Sequence, residues 1–298
     1  MPEYLTTREL AELLRIKERK VYDLAASGEV PCARVTGKLL FPEAEVRAWL
    51  AGGRGRGGPG RAARASGASR PNVFLGSHDP LLERSLRDSR CGLATFLDGS
   101  LDGLERFGAG EGVACALHVR DAADGSWNAS AVAARGDVED AVLVRFATRR
   151  RGLVTAPGSD LERVGDVVGR RLVPRQDGSG AQSLLEQLLA EAGATGTAGA
   201  ARGASWTGPA RSEADAVLAV ARGDAEVAFG LEAVAAEYRL RFVPLVDERF
   251  DLLVDRRGWF EPPMQALLAH WRTDAFARSA DACPGHDVAA LGEVVWNG

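Results

Sequence analysis

The sequence predicts an α/β chain of 298 residues in two parts, a small head and a larger body. Three observations carry that prediction. Residues 4–50 place two helical stretches around a tight corner, then a hairpin, then a third helix. Residues 51–71 are rich in Gly, Ala and Arg and hold no acidic side chain. From residue 72 onward, short apolar runs that end in Gly/Ser turns alternate with helical stretches, as in α/β proteins.

In the head, the hydroxyl of Thr6 or Thr7 can accept from a free amide of a first helical turn. Glu9 lies three residues past Thr6, as a capping box requires. Leu10, Leu13 and Leu14 then share one helical face. Residues 15–17 form the corner, and residues 17–26 a second helix with Val21, Tyr22, Leu24 and Ala25 available for packing. Gly28 suits the left-handed stop of that helix. Residues 33–41 read as a hairpin turning at Gly37, and Pro42 opens a third helix over 43–50 with Val46, Trp49 and Leu50 inward.

This is the plan of a winged helix-turn-helix. The second helix carries Lys17, Arg19 and Lys20 near its start, where a helix lying in the major groove meets base edges. The hairpin offers Arg34, Thr36 and Lys38 to phosphates or the minor groove, and Thr7 completes the expected DNA-facing set. The blocks L-T-T-x-E-L-A-E-L-L, V-Y-x-L-x-x-x-G-x-V-P and R-x-x-G-K-x-x-F-x-x-x-E-V-x-x-W-L resemble the excisionase-like branch of MerR-type winged helix domains. The resemblance implies a double-stranded DNA operator as partner.

Charge is divided between the parts. Residues 1–70 hold 13 Lys and Arg against 8 Asp and Glu, a surplus of five; residues 71–298 hold the other 24 basic and 33 acidic residues, a deficit of nine. A basic head on an acidic body is what a DNA reader with a separate second function shows. The segment 51–71 cannot bury enough apolar surface to order itself and reads as a tether. Its Arg54, Arg56, Arg61, Arg64 and Arg70 could add salt-dependent contacts to phosphates. The 46% apolar share is ordinary for a chain that buries a core. No run approaches the ~20 apolar residues of a membrane span, and no signal-peptide region opens the chain. Cys32, Cys91, Cys115 and Cys283 are scattered without a C-x-x-C, so free thiols and a cytoplasmic setting are expected.

The body reads as strands near 72–76, 92–96, 113–119, 141–146 with 152–155, 171–173, 225–229, 241–246 and 250–254. Helices are expected over 81–86, 101–107, 160–168, 180–192, 213–221 and 232–238, with Leu-, Trp- and Phe-rich helices closing the chain. Alternation of this kind predicts parallel sheets covered on both faces, with ligands at the carboxyl ends of strands. Three strand ends, Gly76-Ser77-His78-Asp79, Gly99-Ser100-Leu101-Asp102-Gly103 and Gln176-Asp177-Gly178-Ser179-Gly180, place Gly and Ser just before a helix. A helix N-terminus holds an anion through unpaired amides, and serine hydroxyls add donors. Each serine alone is also the ordinary N-cap; together they point to a small-ligand cleft. The expected contacts are Ser77, Ser100 and Ser179, the amides of His78 and Gly180, and Arg175 and Gln176. The His78 and His118 rings could be donors or structural groups. Asp79 and Asp102 would repel an anion and are read as partners of backbone amides.

Four blocks carry a second resemblance: G-S-H-D at 76–79, R-G-L-V-T-A-P-G at 151–158, R-Q-D-G-S-G at 175–180 with Leu184 and Leu185, and A-V-A-R-G-D-A-E-V-A-F-G at 219–230. They resemble the periplasmic-binding-protein-like domain found fused to excisionase-type winged helices, a domain similar to type 2 solute receptors and molybdate-binding proteins. The resemblance implies a winged head at 1–50, a linker at 51–71 and a body at 72–298. Its two lobes would be about 72–145 with 250–298, and about 146–249, joined by strands crossing near 142–154 and 244–254. Asp102-Gly103, Trp127 before Asn128 and Ala181 depart from the family pattern; they bear on the ligand, not on the fold. The implied function is a one-component regulator, most simply a homodimer. Its effector would be molybdate, tungstate or a similar oxyanion, with a small organic acid or other metabolite as the alternative. No cofactor and no catalysis are expected: G-x-S-x-G, a phosphate-loop lysine and metal-ligand spacing among the four histidines are all missing. An excisionase-like architectural role is a further alternative, against which the large body argues.

Overall fold

The computed structural model describes residues 4–14, 17–26, 30–35, 38–43, 46, 69–176, 179–194 and 209–298. They fall into two compact units, 1–68 and 69–298. In the first, β1 (Tyr4–Thr6) runs into α1 (Thr7–Leu14), α2 covers Glu18–Ala26, and β2 (Ala33–Val35) pairs antiparallel with β3 (Lys38–Pro42). β1 adds a third strand that the sequence reading did not contain, giving the order β1-β3-β2. The capping box forms as spaced: Thr6 N donates to Glu9 Oε2 at 2.7 Å and Glu9 N to Thr6 Oγ1 at 3.3 Å. The Thr6 amide first, and then the Thr6 hydroxyl at 2.8 Å, donate to the Glu9 carboxyl and hold it below its ordinary range. Leu10, Ala11, Val21, Val30, Phe41 and Val46 close a small core. Two expected core residues are outside it, Leu13 at 43% exposure and Tyr22 at 52%, because two short helices on a three-stranded sheet bury only one narrow face each. Gly28, Gly37, Trp49 and Leu50 lie outside the described residues.

The second unit is organised by two 15-residue antiparallel strands, β7 (Ala141–Thr155) and β9 (Arg241–Asp255), paired along their length. The first was expected as one long strand interrupted between 146 and 152, the second as two separate strands; both are continuous. Their first-lobe ends, 141–145 and 251–255, continue into β6 (Ala114–Leu117), β4 (Val73–Gly76) and β5 (Ala94–Phe96). β10 (His286–Asp287) and β11 (Val294–Asn297) pair with the outer edge of β7. At the other end β7 pairs with β8 (Val227–Leu231), beside which Leu172 makes a single parallel bridge to Val227. Only β4–β5 and β4–β6 are parallel among the named strands, so the all-parallel expectation fails: two long crossing strands can each feed both lobes only if neighbours run in opposite directions.

Helices cover both faces. In the first lobe these are α3 (Pro80–Asp88), α4 (Ser100–Ala109), α5 (Ala129–Ala133), α9 (Arg256–Trp259), α10 (Pro262–Trp271) and α11 (Asp274–Asp281). In the second lobe they are α6 (Gly180–Glu191), α7 (Glu213–Ala221) and α8 (Glu232–Glu237). The helix expected over 160–168 is only a 3-10 turn, Val164–Val167. Two apolar clusters flank each lobe's sheet, one pair built on Phe74, Phe146 and Phe107, the other on Leu184, Phe229 and Val217. Arg70, grouped with the linker arginines from sequence, belongs to this unit. It donates to Asp255 at 2.7 Å and to the Phe107 carbonyl at 2.6 Å, its guanidinium 4.0 Å from the Phe107 ring centroid.

Gly103 fixes where α4 starts. A Cβ there would lie 2.3 Å from Gly76 Cα and 2.5 Å from Gly76 N, so α4 sits directly on the end of β4. Gly103→Ala must displace the Gly76 backbone as well as the Cys115 sulfur at 2.9 Å and is expected to lower stability by about 1–3 kcal/mol, read as an earlier denaturation midpoint. An unchanged midpoint would mean that α4 slides freely on β4.

Candidate functional site: a serine-lined cleft over a buried ion network

Three strand ends bring the serines to the mouth between the lobes. Ser77 follows β4, and its amide is tied to the Ala116 carbonyl at 2.9 Å. Ser100 is the first residue of α4, and Ser179 precedes α6. All three are buried. Capping does not explain them: α3 is capped by Asp79, whose carboxylate accepts from Leu82 N at 2.8 Å, and neither Ser100 nor Ser179 caps its helix through its side chain. The Ser77 and Ser100 hydroxyls instead meet at 2.8 Å, and Ser100 Oγ accepts from the His118 amide at 3.1 Å.

His118, just past β6, is the hub of the mouth. Its ring packs over Gly180 at the start of α6, so closely that a Cβ on Gly180 would lie 3.0 Å from the ring. Its Nδ1 is 3.2 Å from Glu248 Oε2. Gln176 also crosses between the lobes, donating to the Asp98 carbonyl at 2.8 Å. Arg120 pairs with Glu191, and Trp127 packs on a second-lobe cluster, so the loop after His118 clasps the second lobe too. Asn128 holds that loop: at a left-handed φ of 62°, it accepts from Val119 N and donates to Asp251 Oδ2 at 2.7 Å.

Two expected contacts do not present their side chains here. His78 turns to the surface, its Nε2 2.7 Å from Glu83 Oε2. Arg175 is braced inside the second lobe, donating to the carbonyls of Ala210 and Arg211 and lying 3.1 Å from Glu213. A side chain with both faces of its fork engaged has no bidentate grip left for a carboxylate. In the head, Lys17, Arg19 and Lys20 are exposed on or beside α2, and Thr7 is half-buried. Thr36 lies outside the described residues, and for Arg34 and Lys38 only the strand backbone is described. Asp177 and Gly178 of the third serine turn are likewise outside them.

Beneath the serines lies a network that the sequence reading missed. Arg149 and Arg151 alternate along β7 and point to one side, both fully buried, while Arg150 points to the other and pairs with Glu232. Arg149 bonds Asp79 at 2.9 Å and contacts Glu248; Arg151 bonds Glu248 at 2.8 Å and Glu213 at 2.9 Å. His286 Nε2 meets Asp79 at 2.8 Å from the C-terminal segment. Burial opposes ionisation of all three carboxyls, yet the arginines and His286 outweigh it and hold each below its ordinary range. Burial would also push His286 down, but the Asp79 charge and hydrogen bond lift it to about 10, so it is protonated at neutral pH. His118 is pushed down, by burial first, and is neutral. Among the described residues three carboxylates thus face Arg149, Arg151, Arg175 and protonated His286, one positive charge more than they neutralise. The only sequence signal was the run Arg149-Arg150-Arg151 inside an otherwise apolar strand.

Among the described residues no group of His, Cys, Asp and Glu could hold a metal ion, and no helix is long and apolar enough to cross a membrane. All four cysteines are free.

The profile described as a PBP superfamily domain matches residues 83–272, and a helix-turn-helix domain profile matches residues 4–54. A Bacillus subtilis (strain 168) protein carrying the name uncharacterized protein YvgK is 25% identical over 309 residues, spanning 97% of each chain. Among solved structures, a Clostridium perfringens protein assigned as a phosphate ABC transporter substrate-binding protein, with bound phosphate, aligns with TM-score 0.50 and 10% identity. The alignment spans 70% of this chain and 96% of that one. Corynebacterium glutamicum OxyR aligns with TM-score 0.42 and 13% identity, over 91% and 90%.

Proposed function

The chain belongs to the PBP superfamily and bears a helix-turn-helix domain at its head, and on that premise we propose that it is a one-component transcription regulator that senses a small anion. The observation that carries the anion reading is the set of groups that meet where the two lobes touch. Buried serine hydroxyls from both lobes, none of them used for capping, sit over an ion network with one positive charge in excess. A buried uncompensated charge is costly, and an anionic guest removes that cost. The bracing of Arg175 favours an oxyanion held by hydroxyls and amides over an organic acid held by a guanidinium.

A guest enters when the contacts His118–Gly180 and Gln176–Asp98 part, and the two crossing strands are the natural hinge. The guest shifts the balance only by binding one lobe arrangement better than the other. On the DNA side, Lys17, Arg19 and Lys20 of the reading helix contact the major groove, with Thr7 and the wing residues Arg34, Thr36 and Lys38 on the backbone. Two copies of so small a head on a two-fold operator would supply the specificity one lacks. The reading includes no catalytic step and no cofactor.

Both halves can be tested. Against a duplex selected from a random pool with the wild-type protein, Lys20→Ala is expected to weaken binding about tenfold and leave the melting temperature alone, since the side chain is exposed. Equal affinity would remove α2 from the groove. In a thermal-shift screen of oxyanions and small carboxylates, a ligand at a hundred times its Kd adds about 2.7 kcal/mol. Ser179→Ala is expected to shrink the shift produced by the best anion, and an identical shift would take that loop out of the site.

A further inference from the structure

Resting on the anion reading of this cleft, we infer that its occupant is an oxyanion that still carries a proton, and that His118 is the residue that demands one. The geometry fixes the role of each ring nitrogen. Glu248 is a fully buried carboxylate between Arg149 and Arg151, so it can only accept hydrogen bonds. His118 Nδ1 lies 3.2 Å from Glu248 Oε2, out of line for a full hydrogen bond, and the carboxylate attracts a hydrogen there where it would repel a lone pair, so Nδ1 is assigned the hydrogen. Burial and the two neighbouring arginines keep the ring neutral despite Glu248. A neutral imidazole with its hydrogen on Nδ1 presents a bare lone pair at Nε2. The side chain is only 5% exposed, and Nε2 has no hydrogen-bond partner among the described residues. The ring lies against Gly180 at the start of the 12-residue α6, and its own backbone amide is bonded to Ser100 Oγ, so that lone pair faces the serine-lined mouth.

Gln176 Oε1 is a second buried acceptor without a partner, its amide turned by the bond to Asp98. The remaining groups can donate: the Ser77–Ser100 pair has two hydroxyl hydrogens and needs one for its mutual bond, Ser179 Oγ caps nothing, and first-turn amides of a helix such as α6 lack intrahelical partners. Fixed acceptors among donors are a filter, and His118 Nε2 is the one that lies against the start of α6. Inorganic phosphate and arsenate keep an O–H at neutral pH and can satisfy all of them. Sulfate, molybdate and tungstate have none, and would set an anionic oxygen against the Nε2 lone pair, an unpaired buried contact that a site of this kind rejects. The ligand class is thus hydrogenphosphate-like, including singly protonated phosphonates, in place of the molybdate-like class that the family resemblance implies.

The test is isothermal titration of the full chain at pH 7 with phosphate, arsenate, sulfate and molybdate, for wild type, His118→Gln and His118→Ala. Phosphate and arsenate are expected to bind at least tenfold tighter than sulfate and molybdate in wild type. His118→Gln keeps the volume and the hydrogen bonding, but its amide can turn nitrogen or oxygen outward. It is expected to bring the phosphate-to-sulfate ratio near one, as is His118→Ala; a purely structural histidine would lower all affinities together and leave the ratio unchanged. Wild-type binding of sulfate or molybdate as tight as phosphate, or a ratio that survives both substitutions, overturns the role of His118 while the anion cleft stands. Binding of none of the four anions overturns the cleft reading, and this inference with it.

Discussion

Arg151→Met is expected to cost the body about 3–5 kcal/mol, more than any surface change in the chain. The methionine fills much of the volume, so packing is not the main loss. Arg151 is fully buried between Glu248 and Glu213, bonded to the first at 2.8 and 3.2 Å and to the second at 2.9 Å. Without it Glu213 keeps only Arg175, and Glu248 keeps Arg149 and the neutral His118. The carboxyls answer by taking up protons, so their pKa values rise toward and above the ordinary range. The check is a denaturation midpoint measured against pH: the variant should lose most at neutral pH and recover part of the deficit in mild acid. A loss within 1 kcal/mol at pH 7 would mean that solvent reaches the network and screens it.

Above neutral pH the His286–Asp79 pair sets the next largest effect. Folding raises the His286 pKa from 6.5 to about 10. Its contribution is therefore complete below about 6.5, the unfolded value, and declines as pH climbs through 10. Asp79 is shifted the other way, so its share is present above the unfolded carboxyl range and is lost in acid. Wild-type stability is expected to fall by a few kcal/mol between pH 7 and 10.5 on this account. His286→Gln should start lower at pH 7, because Asp79 then keeps Arg149 alone, and should lack that alkaline decline. A parallel fall in both proteins would place the alkaline titration elsewhere. Cys283, 3.3 Å from His286 Nδ1, is replaced by Ser in a control, so that its contact with the ring is separated from the Asp79 pair.

The parts that were legible in the sequence are those set by neighbours in the chain. The Thr6–Glu9 box, the Asp79-capped start of α3 and the pairing of β2 with β3 each need residues within a few positions, and periodicity gave most helices of the body to within a residue or two. The breaks predicted inside β7 and β9 failed for the opposite reason. A run such as Arg149-Arg150-Arg151, or Asp247-Glu248, reads as solvated because nothing nearby in sequence neutralises it. Its partners are Asp79, 70 positions away, and Glu213, 62 positions away. The crossing strands came instead from resemblance to a two-lobed family. Arg175 could be read from sequence as a ligand contact or as a salt-bridged lobe residue, and the choice was not legible there: the carbonyls that brace it belong to a segment 35 and 36 residues later.

By itself the sequence determined the division into a basic reading head and an acidic α/β body, the turns that carry Ser77, Ser100 and Ser179, and the capping box that starts α1. Those features depend on backbone torsion and hydrogen bonds between residues a few places apart. Only the tertiary structure decided which charges are buried, that the serines are not used as caps, and which nitrogen of His118 faces the mouth. Each of these depends on groups brought together across the fold, and a charge or a lone pair has no fixed meaning until its partners are in place.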